Sequence, residues 1–434
     1  MVAMSSAVPV THASPSRILS VDILRGLTIA LMILVNDPGD NRHTYAQLEH
    51  AQWSGLTLTD LVFPTFLFLV GASIIFSLAN RVVRGDSRAA LARNIIRRAL
   101  TIVLIDFFIA LFPAFHLTQL RIYGVLTRIA VCYLVVGLLC LVTRRAAVLV
   151  SLAVTLLIGY WLLMRFVPVP GFGIPTYDMP LLDPDRNLTA YIDRGFNAFT
   201  QATIHTGRLY EVTRDPEGLL STLPAIATVL FGALAGLWLR RSTTVLHQGG
   251  LDSALPASGP ERLVTSESVK AIQTPGRTLA GLAVACVLCL AVGFLWDSVF
   301  PINKKLWTSS YVFAAAGISL LGLSVCYGLI DYLRLERRSR VFRAVLWPCL
   351  VFGSNAITAY AISELLIEAG GLARISDPNS VNGRPVSLWG WLYQHLFAHG
   401  HSTKNTSLAF ALCYVALCFL PNLLLWRKRI FLKV

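Results

Sequence analysis

Apolar residues fall along this chain in long unbroken runs rather than as short amphipathic faces. Stretches near the roughly 20 residues needed to cross a hydrocarbon core occur at about 19–36, 57–80, 95–113, 122–142, 146–166, 218–239, 277–296, 308–331, 343–365 and 405–426. In lipid every backbone N–H and C=O must be satisfied within the segment, so such runs must be helical. The pattern predicts an all-α membrane protein, a polytopic bundle of about ten transmembrane helices occupying 17–434 behind a polar tail, 1–16. That tail lacks a basic leader region, and no small-residue cleavage site follows the first run, so the run is a span and not a signal peptide. Connections 167–217 and 366–403 exceed ordinary turns and are expected to be outward loops that cap something. Segment 241–276, rich in Ser, Thr, Gly and Pro, is expected to be a flexible inner linker. Gly232 and Gly236 form a G-x-x-x-G on the sixth run, a close-packing device.

Composition agrees. Of 434 residues 55% are hydrophobic and 14% charged, where a soluble domain carries about a quarter charged. Mean hydropathy is +0.64. The excess of 37 Lys+Arg over 23 Asp+Glu would suggest nucleic acid in a soluble protein. Here it marks topology, and nucleic acid is not an expected partner. Arg81, Arg84, Arg88, Arg93, Arg97 and Arg98 crowd one connection, Arg144 and Arg145 another, and Arg240 and Arg241 a third. Arg334, Arg337, Arg338, Arg340 and Arg343 fill a fourth, and Arg427, Lys428, Arg429 and Lys433 close the chain. All lie on one side of a ten-span map, which makes that side and both termini cytoplasmic. The alternate connections carry the acids; 167–217 holds seven, against four arginines. All eight cysteines sit in apolar runs, where they pack as small hydrophobes, the C-x-x-C of Cys286 and Cys289 included.

Polar residues at membrane depth are costly and therefore candidates for function. Asp22 and Arg25 stand three apart on one helical face, able either to neutralise each other or to meet a ligand. Asn36 ends the first run, and the next connection brings Glu49, His50, Trp53 and Asp60 to the start of the second. A histidine with an ordinary pKa near 6.5 can take a proton at neutral pH; the same residue could equally be an interfacial histidine. His395, His399 and His401 have ligand-like spacing but no paired carboxylates, so no metal is expected. Asp106, Arg128, Asn355 and Glu364 interrupt other runs, and Lys304 and Lys305, beside Asn303 and Trp307, violate the positive-inside pattern. No phosphate-binding Gly-rich loop or nucleophile elbow occurs.

Several blocks resemble a known family. Ser20-Val21-Asp22, Arg25-Gly26, Asn36, His50-Ala51-Gln52-Trp53-Ser54-Gly55 and Asp60-Leu61-Val62-Phe63-Pro64 are similar to heparan-α-glucosaminide N-acetyltransferases. The likeness continues through Arg121-Ile122, Gly124-Val125-Leu126, Arg128, Tyr191-Ile192-Asp193-Arg194, Asp215-Pro216-Glu217-Gly218, Pro301-Ile302-Asn303-Lys304, Leu306-Trp307 and Asn355. The resemblance implies a membrane-embedded acetyltransferase using acetyl-CoA as co-substrate, with His50 as the catalytic histidine and Asn36 as its partner. Asp22, Arg25, Trp53, Asp60, Arg121, Arg128, Asn303, Lys304, Trp307 and Asn355 are the candidates for substrate and acyl-CoA binding, with Arg25 and Arg128 expected to meet CoA phosphates from the inner side. The resemblance begins near residue 17, without the lumenal N-terminal domain and extra leading span of the lysosomal enzyme. The expectation is therefore a multi-pass protein of a bacterial inner membrane, acting on an amino sugar or other extracytoplasmic amine.

Other expected partners are the lipid bilayer and, left open, a second copy in a homodimer. The rival reading is a secondary transporter of a sugar or small anion, which should show discontinuous spans in matching positions of two halves. The arginine distribution makes its own prediction. Cysteines introduced in 81–98 should be labelled only from the cytoplasm and those in 167–217 only from outside; reversed labelling overturns the orientation.

Overall fold

The computed structural model describes residues 18–432 except 84, 253–273 and 377–384. Its helices are α1 (Leu19–Asn36), α2 (Leu58–Val83), α3 (Arg88–Leu111), α4 (Val125–Val142), α5 (Ala146–Phe166), α6 (Leu188–Ile204) and α7 (Thr222–Asp252). There follow α8 (Pro275–Asp297), α9 (Ser309–Cys326, extended by a π turn Tyr327–Tyr332), α10 (Leu335–Arg338), α11 (Arg340–Ser354), α12 (Ala356–Leu372), α13 (Leu388–Tyr393) and α14 (Lys404–Arg427). A two-stranded antiparallel hairpin, β1 (Arg374–Ile375) and β2 (Val386–Ser387), pairs Arg374 with Ser387. The polar tail 1–16 and 253–273 of the expected linker lie outside the described residues; the start of that linker continues α7.

Among the described residues eight helices are long and apolar enough to cross a membrane: α1, α2, α4, α5, α7, α8, α9 and α14. The bent pair α11–α12, counted as one span, makes nine, against the expected figure of about ten. The run 95–113 forms α3 at full length, but Arg97, Arg98 and Asp106 interrupt its apolar stretch. The run 343–365 is two helices, α11 and α12, bent by 83°. A bend needs a cause, and here it is Asn355. Its backbone leaves the helical region, at φ −133° and ψ 47°. Its side-chain amide donates to the Ile430 carbonyl (3.1 Å) and accepts from the Leu432 N–H (2.8 Å), so the chain beyond α14 is fastened at the break. Arg25 takes up the nearby Gly353 carbonyl at 3.4 Å.

The two long connections are more ordered than expected. Segment 167–217 contains α6, capped by Asn187, which accepts from the Ala190 N–H. Segment 366–403 contains the end of α12, the hairpin and α13. Both gather at the end of the bundle that carries residues 37–57. The Trp53 indole donates to the Leu182 carbonyl (2.8 Å), and Ser402 donates to Asp40 (2.8 Å). We call this the capped end and the opposite one the arginine-rich end.

Lipid gives apolar helices no hydrophobic reason to associate, so close van der Waals packing through small residues must serve instead. The α2–α7 contact is built that way. A Cβ on Gly232 would lie 1.8 Å from the Phe68 carbonyl oxygen, one on Gly71 2.0 Å from that of Val229, and one on Gly236 2.9 Å from that of Ala72. Gly232→Ala must therefore force the two backbones apart, at a cost of about 1–3 kcal/mol for overpacking. The expected outcome is a lower Tm for the purified protein, with Gly159→Ala, where a Cβ meets nothing within 4 Å, leaving Tm unchanged.

Candidate active site

The first turn of α2 fixes the position of a histidine that precedes it by eight residues. Thr57 and Asp60 cap each other: the Asp60 N–H donates to Thr57 Oγ1 at 3.4 Å, and the Thr57 N–H donates to Asp60 Oδ2 at 3.1 Å. This reciprocal pair satisfies helix-start donors and places the carboxylate where the helix dipole favours it. Asp60 Oδ2 also accepts from the Thr57 hydroxyl (2.9 Å) and the Ala51 N–H (3.1 Å), which folds the 49–57 segment over the helix start. The remaining oxygen, Oδ1, lies 2.7 Å from His50 Nδ1. A carboxylate can only accept, so His50 donates from Nδ1, and the neutral ring held this way has its lone pair on Nε2. Asp60 is 1% exposed and the His50 side chain 47%. The carboxylate is buried and fixed, while the imidazole is open to a substrate.

Beneath this pair lies an aromatic layer. The Tyr311 hydroxyl of α9 donates to the Asp60 carbonyl (2.5 Å), and the Tyr311 ring meets Trp307 edge-on at 5.2 Å. Phe63 packs on the indole at 5.2 Å, and the Arg128 guanidinium sits 5.0 Å from its centroid. Trp307 is fully buried yet holds a left-handed backbone (φ 55°), which a bulky residue adopts only where neighbours impose it. Asn303 imposes it: its side-chain oxygen accepts from the Leu306 N–H (2.9 Å), and its backbone bonds Thr308 in both directions.

Charges from the cap surround this layer. Arg121 grips Asp215 with two nitrogens (2.8 and 2.5 Å) and Glu217 with one (2.6 Å), and covers the Tyr210 ring. Burial opposes charge on Glu217, but Arg121, Lys304 and Arg128 outweigh it and hold the carboxyl below the usual range. Lys304 stays partly accessible; burial of its ammonium draws its pKa down against the pull of Glu217 and Asp60. Its neighbour Lys305 pairs with Glu211 at 3.1 Å. Arg128 is 2% exposed and donates to the Gly218 carbonyl (3.2 Å) and Ser221 (2.5 Å), while its Nε and Nη1, like Asn303 Nδ2, have no hydrogen-bond partner among the described residues.

The structure thus joins His50, Asp60, Arg121, Arg128, Asn303, Lys304 and Trp307 around one region. Trp53 belongs to its wall, under the Arg214 guanidinium at 4.8 Å. Arg128 corrects an expectation: it lies in the first turn of α4, at the capped end, and not among the inner arginines. Asn36 donates to Glu364 of α12 (3.3 Å) rather than to the histidine. Burial and the Glu364 charge push the adjacent Asp37 up to about 8. Asn355 is taken up by the chain terminus, as described above. Asp22 and Arg25 do pair, at 3.0 Å, and Arg25 also bonds Ser73 (2.7 Å).

Arg25 lines a cavity of about 210 Å³ that sequence reasoning missed, walled by Ser73, Ser77, Arg98, Tyr133, Phe66, Ile129 and Asn355 among others. Along α2 it runs from Ser77 up to Phe66, about 16 Å at 1.5 Å per residue, and its upper wall, Ile129, adjoins Arg128. Asp215 and Glu217 were also missed as site residues, although they stand in one of the family-like blocks.

This is a polytopic helical membrane protein with a histidine–carboxylate pair at one end and, rising from the other, a cavity lined by polar and apolar side chains. The family model "Heparan-alpha-glucosaminide N-acetyltransferase, catalytic" matches residues 17–249. The chain is 30% identical over 395 residues to heparan-alpha-glucosaminide N-acetyltransferase of Homo sapiens, covering 81% of this chain and 53% of that one. Against the Mus musculus protein it is 29% identical over 393 residues, covering 82% and 54%. The chain belongs to the heparan-alpha-glucosaminide N-acetyltransferase family. It spans about half the length of the curated relatives it matches.

A second carboxylate tests how the cap is held. Asp193 accepts from the Leu219 N–H (2.9 Å), packs where a Cβ on Gly218 would fall 2.1 Å from its oxygen, and leaves Oδ2 without a hydrogen-bond partner among the described residues. Burial, then the nearby Asp215, push it up to about 7 from 3.8. The folded state then binds the proton more tightly than the unfolded one, so this contribution to stability is fully present below about pH 4 and lost as pH rises toward 7. Asp193→Asn should therefore raise Tm increasingly between about pH 4 and about pH 7, and by a constant amount above. A pH-independent change in Tm contradicts the buried, raised carboxyl.

Proposed function

We propose that this chain is a transmembrane N-acetyltransferase that passes an acetyl group from cytoplasmic acetyl-CoA to an amine, an amino sugar, on the outer face of a bacterial inner membrane. The observation that carries this reading is the His50–Asp60 pair: a buried carboxylate, bonded by four donors, that orients a half-exposed imidazole through Nδ1 and leaves Nε2 facing outward from the pair. In that role Nε2 takes a proton from the acceptor amine as its nitrogen attacks the thioester carbonyl. The C–N bond forms, the C–S bond breaks and the CoA thiolate leaves. Asp60 stabilises the imidazolium that results. Arg128, Asn303 and Lys304 supply unmatched donors and positive charge for the oxygen that becomes negative, one such donor being worth about 3–4 kcal/mol in other enzymes. Asn36, bonded to Glu364, orients the acceptor from the α1 side.

The cavity at the arginine-rich end suits the donor. Arg25, the serines of α2 and Tyr133 offer polar contacts along a path that ends below Arg128, and a pantetheine arm is long enough to follow it. The transporter reading needs broken helices in matching positions of two halves; among the described residues α11–α12 is one bent pair without a counterpart.

Purified protein should consume acetyl-CoA only with an acceptor from a panel of amino sugars and simple amines. His50→Ala should fold, bind acetyl-CoA and lose about 10²–10⁴-fold in turnover, the usual worth of positioned acid–base catalysis. Mass spectrometry of enzyme held with acetyl-CoA alone separates direct transfer from an acetyl-His50 intermediate. Wild-type turnover by folded His50→Ala overturns the assignment, and indifference to acetyl-CoA overturns the enzyme.

A further inference from the structure

The cap helix α6 has a face that does not suit water. Its two charged residues are turned away from the outside: Asp193 is buried, and Arg194 donates to the carbonyls of Asp185 (2.7 Å) and Thr213 (3.1 Å). What it exposes is Tyr191, Gly195, Ala198, Phe199, Gln201, Ala202, Thr203 and Ile204, with no charge among them. A solvated helix presents polar and charged residues on its outer face. This one presents no charge, and Phe199 at 61% and Ile204 at 63% exposure stand out beside the uncharged Gln201 and Thr203.

That surface borders a groove of about 540 Å³ between α6, the end of α3 and the segment leading into α4. Phe107, Leu120, Ile122, Phe196, Phe199 and Ile204 line it, and threonines are its only polar walls. The groove is continuous with a stripe on α3. Ile96, Leu100, Leu104 and Phe108, spaced four apart and so on one helical face, are all exposed, Leu104 at 66%. At membrane depth such a stripe faces hydrocarbon, and its upper end, at Phe107 and Phe108, opens into the groove.

We infer that the groove seats the acyl chain of a bilayer phospholipid, and that α6 lies in the membrane interface rather than in the water beyond it. A chain lying along the α3 stripe needs only to continue upward to fill the groove, and the uncharged face of α6 then meets the acyl–headgroup boundary with Tyr191 and Phe199 as aromatic anchors. The inference is independent of the catalytic reading, since it concerns lipid contact and not turnover. Arg121, between Leu120 and Ile122, turns inward to Asp215 and Glu217, so the lipid-filled groove would back the ion pairs that close the site.

The test is photo-crosslinking of the full chain in vesicles of palmitoyl-oleoyl phosphatidylethanolamine and phosphatidylglycerol. p-Benzoylphenylalanine replaces Phe199, Leu104 as the hydrocarbon-facing control, or Val212, a cap residue 96% exposed, as the aqueous control. The expected result is a phospholipid mass adduct at 199 comparable to that at 104 and none at 212. A cross-linked dimer at 199 assigns the face to a second copy and overturns the proposal. Lipid adducts at 104 with none at 199 show a solvated α6 and overturn it equally.

Discussion

The site depends on α2 and α7 meeting backbone to backbone. Gly71, Gly232 and Gly236 remove the side chains that would separate them, and in a medium that offers no hydrophobic drive this is how two apolar helices become a rigid unit. α2 also packs on α1, α4 and α9, so it stands as a pillar in the middle of the bundle. Whatever is attached to its first turn inherits that rigidity. Asp60 is attached there, and through Asp60 the 49–57 segment, His50 and the hydroxyl of Tyr311.

The two ends of the bundle carry different chemistry, and the Phe63–Trp307–Tyr311–Arg128 layer divides them. Above it are ion pairs buried under the cap; below it is a cavity of mixed polar and apolar lining framed by Arg25 and Arg98. Arg128 is the hinge of this division. Burying a guanidinium is costly unless its donors are met, and here only one nitrogen is met, by Gly218 and Ser221, with the indole face beside it. Two nitrogens with no hydrogen-bond partner at the boundary between cap and cavity are what a site that receives an electron-rich group would leave open.

Much of this was legible in the sequence and some was not, for physical reasons. The run of apolar residues found every long helix, because hydropathy over a span is a strong signal. Asp22 and Arg25 were legible as a pair because three residues along a helix fixes their geometry. Asn355 was legible only as a polar interruption; that it breaks a helix and ties down the chain terminus depends on Ile430 and Leu432, some 75 residues away. Glu364, the partner of Asn36, lies 328 residues distant, and no local pattern announces it. The α6 segment was passed over because 17 mixed residues are too short for a span, and its amphipathic character matters only beside α3. Arg128 was misplaced because a basic residue on an apolar run was assigned to the inner side by charge alone, although the direction of its own helix put it at the other end.

Pairing alone does not mark His50 as functional, because the same connection holds a second pair. His43 Nδ1 lies 2.9 Å from Asp40. Slight burial opposes ionisation of Asp40, but hydrogen bonds from His43, the Arg42 N–H and Ser402 hold it at about 2. What differs is the use of the carboxylate. Asp40 sits in a surface segment, and with Ser402 and Ser407 bonded to it or its backbone it fastens the 366–403 connection to the 37–45 turn. Asp60 is buried at a helix start, and its oxygens accept from His50, the Ala51 N–H and the N–H and hydroxyl of Thr57, all in the 49–57 segment. The second arrangement holds an imidazole from the start of a packed helix and leaves the ring 47% exposed, the combination that a positioned base requires.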